Sequence, residues 1–268
     1  MKNVLITGVS SGIGKELAKI YIENQFNVFG VDIKELSTEE FTFFQADITN
    51  EDNLLEIFNK LYENSISLDM IINVAGIHKM ASLVESDFNM MKKVIDINLC
   101  GTMLVNKIFH PLLKAKGKVV IITSEVASFD PLPFNGLYNV SKSALDTYAQ
   151  ALRQELNLLD QKVITIRPGA IETELSNNSL TDTERLANTT ILYKKQSHKF
   201  LHFVKKFTGT PMKPEKLAEF IYKVSLKKHP KYIYKKHQNI GLVLLSILPK
   251  SLQCFIIKSL LNTGKESN

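Results

Sequence analysis

Short apolar runs recur along the first two-thirds of the chain, at residues 4–6, 28–31, 70–74, 119–122 and 163–166. Runs of this length separated by amphipathic stretches predict strands buried on both faces of a parallel sheet. Between the first two, Ile13, Leu17, Ile20 and Tyr21 fall at i, i+4, i+7 and i+8, the period of a helix packed by one face. Repeated βαβ units predict a doubly wound α/β fold, a Rossmann-type parallel sheet in one domain over residues 1–268. No internal repeat, low-complexity tract or Gly/Ser linker divides the chain.

After Pro168 the pattern changes to a polar stretch at 173–190, then a Lys-rich region, then an apolar tail. Segments beyond the strand C-termini of an open α/β sheet shape the ligand crevice, so residues 175–210 are expected to cover the substrate. Residues 237–268 are expected to form a C-terminal apolar extension, helical in character. Its runs at 240–248 and 252–261 are both shorter than the ~20 residues needed to span a bilayer.

Composition narrows the picture. The chain has 268 residues, 44% hydrophobic and 22% charged, enough to bury a sizeable core and unlike a disordered tail or a collagen-like repeat. Cys100 and Cys254 belong to no CxxC or Cys/His cluster, so reduced, packed thiols are expected, without disulfide or zinc. His198 and His202 stand at i and i+4 but lack the acid and the third ligand of a zinc helix; no metal is expected. Met1, Lys2 and Asn3 lead straight into the first apolar run, so no secretory signal is read and the cytosol is the expected compartment.

The net charge of +6 hides an asymmetry: residues 194–236 carry thirteen Lys against two acids, Glu215 and Glu219. A basic face beside apolar segments suits peripheral contact with an anionic membrane, an acidic carrier protein or a negatively charged substrate. It also suits a solvated pair of Lys-rich helices. The stretch has no Arg and no binding motif, so nucleic acid is not an expected partner.

The chemistry begins at Thr7-Gly8-Val9-Ser10-Ser11-Gly12-Ile13-Gly14. This segment follows the first strand and opens the first helix, where backbone N–H groups and the helix dipole hold a pyrophosphate. Neither GxxxxGK[ST] nor GxGxxG fits it. Asp32 closes the second strand, placed to accept hydrogen bonds from both adenosine ribose hydroxyls and to repel a 2′-phosphate. NAD is therefore favoured over NADP, although Lys34 stands two residues on. Tyr138 and Lys142, at i and i+4, share a helix face. An ammonium beside the phenol is expected to lower a reference pKa of about 10 by roughly 1–3 units, which makes Tyr138 a usable acid/base. Ser124, at the end of the strand 119–122, is placed to hydrogen-bond the reacting oxygen.

Together these residues resemble the short-chain dehydrogenase/reductase family in its compact single-domain form. The likeness rests on TGxxxGIG at 7–14, Asp47-Ile48, Asn73-Val74-Ala75-Gly76, Asn98, Ser124, Tyr138-x-x-x-Lys142, and Pro168-Gly169 with Thr173, in order over residues 1–175. The resemblance implies that Tyr138 exchanges a proton with the substrate oxygen, which Ser124 polarises. Lys142 would bind the nicotinamide ribose, and Asn98 would hold a relay water. Gly8, Ser10, Ser11, Gly12, Ile13 and Gly14 would carry the pyrophosphate, Asp32 the ribose, and Asp47 and Ile48 the adenine. Asn73, Ala75 and Gly76 would line the cofactor, and Pro168, Gly169, Ile171 and Thr173 would face the nicotinamide.

The sequence departs from the family pattern in Val74, where a second Asn is frequent, and Glu125, where a small residue is. The tail is similar to the extension of membrane-associated relatives acting on sterols, retinoids or long acyl chains. The expected activity is NAD(P)-dependent interconversion of an alcohol and its carbonyl on a lipophilic small molecule. The alternative is a 3-oxoacyl thioester reductase served by a carrier protein or CoA. A catalytically idle NAD-sensing module is the third reading, and such modules ordinarily lack one of Ser, Tyr or Lys. Helices around residues 98–113 and 138–156 are where relatives pair, so a homo-oligomer is expected.

Overall fold

Burial on both faces explains the apolar runs. In a computed structural model that describes residues 1–207 and 209–262, seven parallel strands form one sheet. They are β1 (Lys2–Thr7), β2 (Phe26–Asp32), β3 (Thr42–Gln45), β4 (Leu68–Asn73), β5 (Leu113–Ile122), β6 (Lys162–Pro168) and β7 (Ile233–Lys236), ordered β3-β2-β1-β4-β5-β6-β7. The five predicted strands are the five inner ones. The two missed strands are the edges, four residues each and incompletely buried, so neither leaves a continuous apolar signature.

Alternate residues of each strand face opposite layers. Leu5, Ile71, Ile121 and Val163 face one core, with α2 (Glu51–Glu63), α4 (Thr102–Phe109) and α5 (Gly136–Asn157). Val4, Ile6, Ile72 and Ile164 face the other, covered by α1 (Gly12–Glu23) and α8 (Pro214–Ser225). On α1 the predicted Leu17 and Tyr21 are buried with Gly14 and Ala18. Tyr21 donates or accepts at 2.7 Å with Ser225 of α8. That partner satisfies a phenol whose pKa burial pushes up.

The other helices extend these layers or cover the strand C-termini. Between β4 and α4 lie α3 (Phe88–Ile95) and a π-helical turn at Asp96–Gly101. The polar stretch at 173–190 is α6 (Glu174–Thr189), started by a capping box in which Thr173 and Ser176 satisfy each other's backbone. It leads to α7 (Lys194–Phe207). The tail folds as α9 (Ile240–Ile247) and α10 (Lys250–Asn262); residues 208 and 263–268 of the expected cover and extension lie outside the described residues. Met80, Phe134, Leu186, Phe200 and Leu261 form the small core joining α6, α7 and α10. None of the residues of α9 is buried. Both cysteines are free but exposed, contrary to the packed thiols expected. Cys100 sits on the outer side of the π-turn, and Cys254 on the outer side of α10.

Candidate active site

The strand order reverses at β1, whose two neighbours are β2 and β4. Ligands of doubly wound sheets bind beyond the strand C-termini at that point. A cleft of about 1260 Å³ lies there. Of the residues expected at catalytic or cofactor positions, all line it except Gly14, Asn73 and Asn98.

The turn after β1 is built by steric necessity. Gly8 has φ +79°, and a Cβ there would stand 3.0 Å from the Ala75 backbone. A Cβ on Gly14 would collide with the Gly8 carbonyl, so glycine lets the first turn of α1 sit on the loop. Gly12, at φ +53°, leaves just enough room for the Thr173 methyl, 3.1 Å from where its Cβ would be. The start of α6 thus overhangs the N-terminus of α1. Thr7 Oγ1 accepts from the Val74 and Ala75 N–H groups at 3.1 and 3.2 Å, fixing the loop after β4 against the turn.

Asp32 is buried at the end of β2, and its two oxygens accept from the Ser10 and Lys34 N–H groups, each at 2.9 Å. The carboxylate is held in place with lone pairs left for two hydroxyls. Lys34 reaches away to Glu174, 2.8 Å. Asp47 accepts from the Thr49 N–H at 2.9 Å, and Ile48 packs against Gly101. Asn73 departs from expectation: its amide turns behind the strand and donates to Asn106 at 2.9 Å rather than facing the cleft.

At the reaction end, α5 carries Tyr138 and Lys142 inward, both buried. The Lys142 Nζ donates to the Ile122 carbonyl at 3.2 Å and lies 5.9 Å from the Tyr138 ring centre. The expected lowering of the phenol is reversed. Burial pushes Tyr138 up to about 12 against the pull of the Ser124 hydroxyl, and burial holds Lys142 down to about 8. Desolvation disfavours both charged forms and outweighs an ammonium that bonds elsewhere. The pair is thus set with the phenol protonated, a donor toward an oxygen in the cleft.

Asn98, in the π-turn, is fully buried. Its amide accepts from the Ile77 N–H at 2.7 Å and donates to the Ile77 carbonyl and to Ser141 at 2.8 and 2.9 Å. With both amide hydrogens used, its side chain braces the loop that carries Gly76 and Ile77.

Two residues escaped the reading of the sequence. His78 lies 4.0 Å ring to ring from Tyr138, bonds Asn135 at 2.8 Å, and is kept neutral by burial, which lowers its pKa. Its place in the loop beyond β4, two residues after Gly76, was the available signal. Glu125, noted only as a departure, is buried beside Ser124 and accepts from the Asn239 N–H at 2.6 Å. Burial raises its pKa. The tail also passes so close to Gly169 that a Cβ there would strike the His237 carbonyl.

The family model described as short chain dehydrogenase matches residues 2–184. An NADPH-dependent 1-acyldihydroxyacetone phosphate reductase of Schizosaccharomyces pombe is 34% identical over 187 residues, 67% of this chain and 63% of that protein. Estradiol 17-beta-dehydrogenase 2 of Mus musculus is 31% identical over 191 residues, 66% of this chain and 50% of that protein. The chain thus spans less than two thirds of the length of both relatives. In fold it is similar to a short chain dehydrogenase from Burkholderia cenocepacia solved with NADP, with TM-score 0.71, 17% identity, and 98% and 100% of the two chains covered. Sheet order, glycine turn and matched segment agree, and the chain belongs to the short chain dehydrogenase family of oxidoreductases.

Proposed function

We propose that the protein interconverts an alcohol and its carbonyl on a lipophilic small molecule, with NAD favoured as the cofactor. The observation that carries this is the convergence of Ser124, Tyr138 and Lys142 on one cleft with the glycine turn at its other end. The cleft fits a dinucleotide: the turn has no room for a Cβ at Gly14 and little at Gly8, whose φ is positive, and a buried, oriented carboxylate waits at Asp32. When bound, the cofactor supplies or takes the hydride.

The chain's own part is placement and the proton. Tyr138 donates its proton to the substrate carbonyl oxygen in reduction and recovers it in oxidation, while Ser124 hydrogen-bonds the same oxygen. Lys142 would bind the nicotinamide ribose, and Pro168, Gly169, Ile171 and Thr173, which line the same cleft, would wall the nicotinamide. Asn98 acts through Ile77, holding the loop on which Gly76 lines the cofactor; a relay water would rest on its backbone rather than its committed amide. Asp32 repels a 2′-phosphate, and Glu174 already engages the neighbouring Lys34, which supports NAD. Tyr138→Phe is expected to lower turnover by about 10²–10⁴-fold while NADH titration of the protein is unchanged. Retained turnover would remove Tyr138 from its role.

The same reading extends to partners. Ile240, Leu244 and Ile247 of α9 and Phe255 of α10 are exposed, with Lys250 and Lys258 among them. An apolar surface rimmed by lysines supports peripheral contact with an anionic bilayer. Among the described residues no helix is long and apolar enough to cross one. Leu244→Asp should abolish sedimentation with phosphatidylserine vesicles and leave the melting temperature within about 1–2 °C; unchanged sedimentation would refute this contact. Exposed Met103 and Val140 on α4 and α5 support pairing of two copies there.

A further inference from the structure

The substrate end of the cleft carries a group of cations that the reaction does not use. Lys79, Arg185 and Lys205 line it. Their acidic partners are Asp182, 3.1 Å from both Lys79 and Arg185, and Glu184, 2.8 Å from Lys205. Neither carboxylate lines the cleft. The cations therefore face the cavity and the acids back them from outside.

The arrangement is unbalanced in a way that points to an anion. Lys79 and Arg185 meet the same Asp182 oxygen, Oδ1, while Oδ2 is buried without a hydrogen-bond partner. One carboxylate thus aligns two cations and leaves a net positive charge. Lys205 and Glu184 are each about half exposed, so their pairing contributes little and Lys205 can exchange partners. A ligand with several anionic oxygens satisfies such a group better than the acids behind it.

The group is not at the cofactor phosphate turn. Arg185 lies twelve residues along α6 from Thr173, roughly 18 Å at 1.5 Å per residue, and Thr173 is the residue over Gly12. Lys79 instead follows His78, whose ring lies 4.0 Å from that of Tyr138, tilted by 48°. The walls between are apolar where Leu180 and Val204 line the cleft.

We infer that Lys79, Arg185 and Lys205 form a head-group site for a substrate bearing a phosphate or comparable dianion on an apolar body. This rests on the oxidoreductase reading of the cleft and narrows its substrate class. The test is calorimetric titration of the NADH-loaded protein with octyl phosphate, octyl glucoside and inorganic phosphate, repeated with Arg185→Glu and Lys205→Glu, both on exposed side chains. Octyl phosphate is expected to bind at least about tenfold tighter than either comparator. That preference should disappear in the variants while their affinity for NADH stays that of the wild type.

Absent or equal binding of the two octyl compounds overturns the inference, as does a preference that survives both substitutions. Inorganic phosphate binding as tightly as octyl phosphate means a free-anion site and overturns the substrate assignment. Weaker NADH binding in the variants means that these cations serve the cofactor, and overturns it too. Failure of the wild-type protein to bind NADH would instead sink the underlying reading of the cleft, so the two failures are told apart.

Discussion

The two ends of the cleft are built by different means. At the cofactor end the shape is set by backbone: positive φ at Gly8 and Gly12, a tight approach at Gly8, and one at Gly14 that admits no Cβ. At the substrate end the walls are side chains from distant segments, Lys79, Leu180, Arg185, Val204 and Lys205 among them, with Val204 packed on the cluster of Met80, Phe134, Leu186, Phe200 and Leu261 and with Asp182 and Glu184 steering lysines and an arginine. Backbone geometry has one solution, so its residues form a compact motif. Side-chain packing has many solutions, so the same architecture accepts different pockets.

Three substitutions sharpen this contrast. Gly14→Ala should have the largest effect, because the methyl meets the Gly8 carbonyl and no rotamer relieves it; NADH affinity is expected to fall by about 100-fold or more, read by fluorescence titration. Wild-type affinity would mean that the turn yields. Phe200→Ala removes a side chain that is 3% exposed and should cost about 3–5 kcal/mol, concentrated in α6, α7 and α10. Hydrogen exchange should rise there and stay unchanged in β1 and α1; a uniform rise would show that the two ends share one cooperative unit.

The smallest effect concerns Lys142, whose pKa is held at about 8 against 10.5. The unfolded chain binds the proton more tightly, so the charged, buried amine lowers stability below about pH 8, and this cost is relieved as pH rises from about 8 to 10.5. Lys142→Met is therefore expected to be more stable than wild type at pH 7, by on the order of 2–3 kcal/mol. Denaturant titrations should show the gap closing by about pH 10.5. A gap independent of pH would mean that the amine is solvated.

What was legible in the sequence follows the same division. The inner strands, the glycine turn and Tyr138-x-x-x-Lys142 are local patterns, and each was read from a few neighbouring residues. The short edges β3 and β7 bury too little to leave a pattern. The stretch at 173–190 hid a helix because its polar face is wide and its capping box, Thr173 with Ser176, is a short-range signal. The direction of the Tyr138 shift was misread for another reason: spacing brings Lys142 to the same face, but only the fold shows that its amine bonds Ile122 and that both groups are dry.

Glu125 ties the reaction centre to the tail. It is the residue after Ser124, and it grips the Asn239 N–H that opens α9. A chain cut before residue 239 would remove the N–H that opposes the upward push of burial on the Glu125 pKa. Shortening the protein at its far end would thus remove a hydrogen bond from the residue next to the serine, so a trimmed tail is a chemical change at the centre rather than a cosmetic one at the periphery.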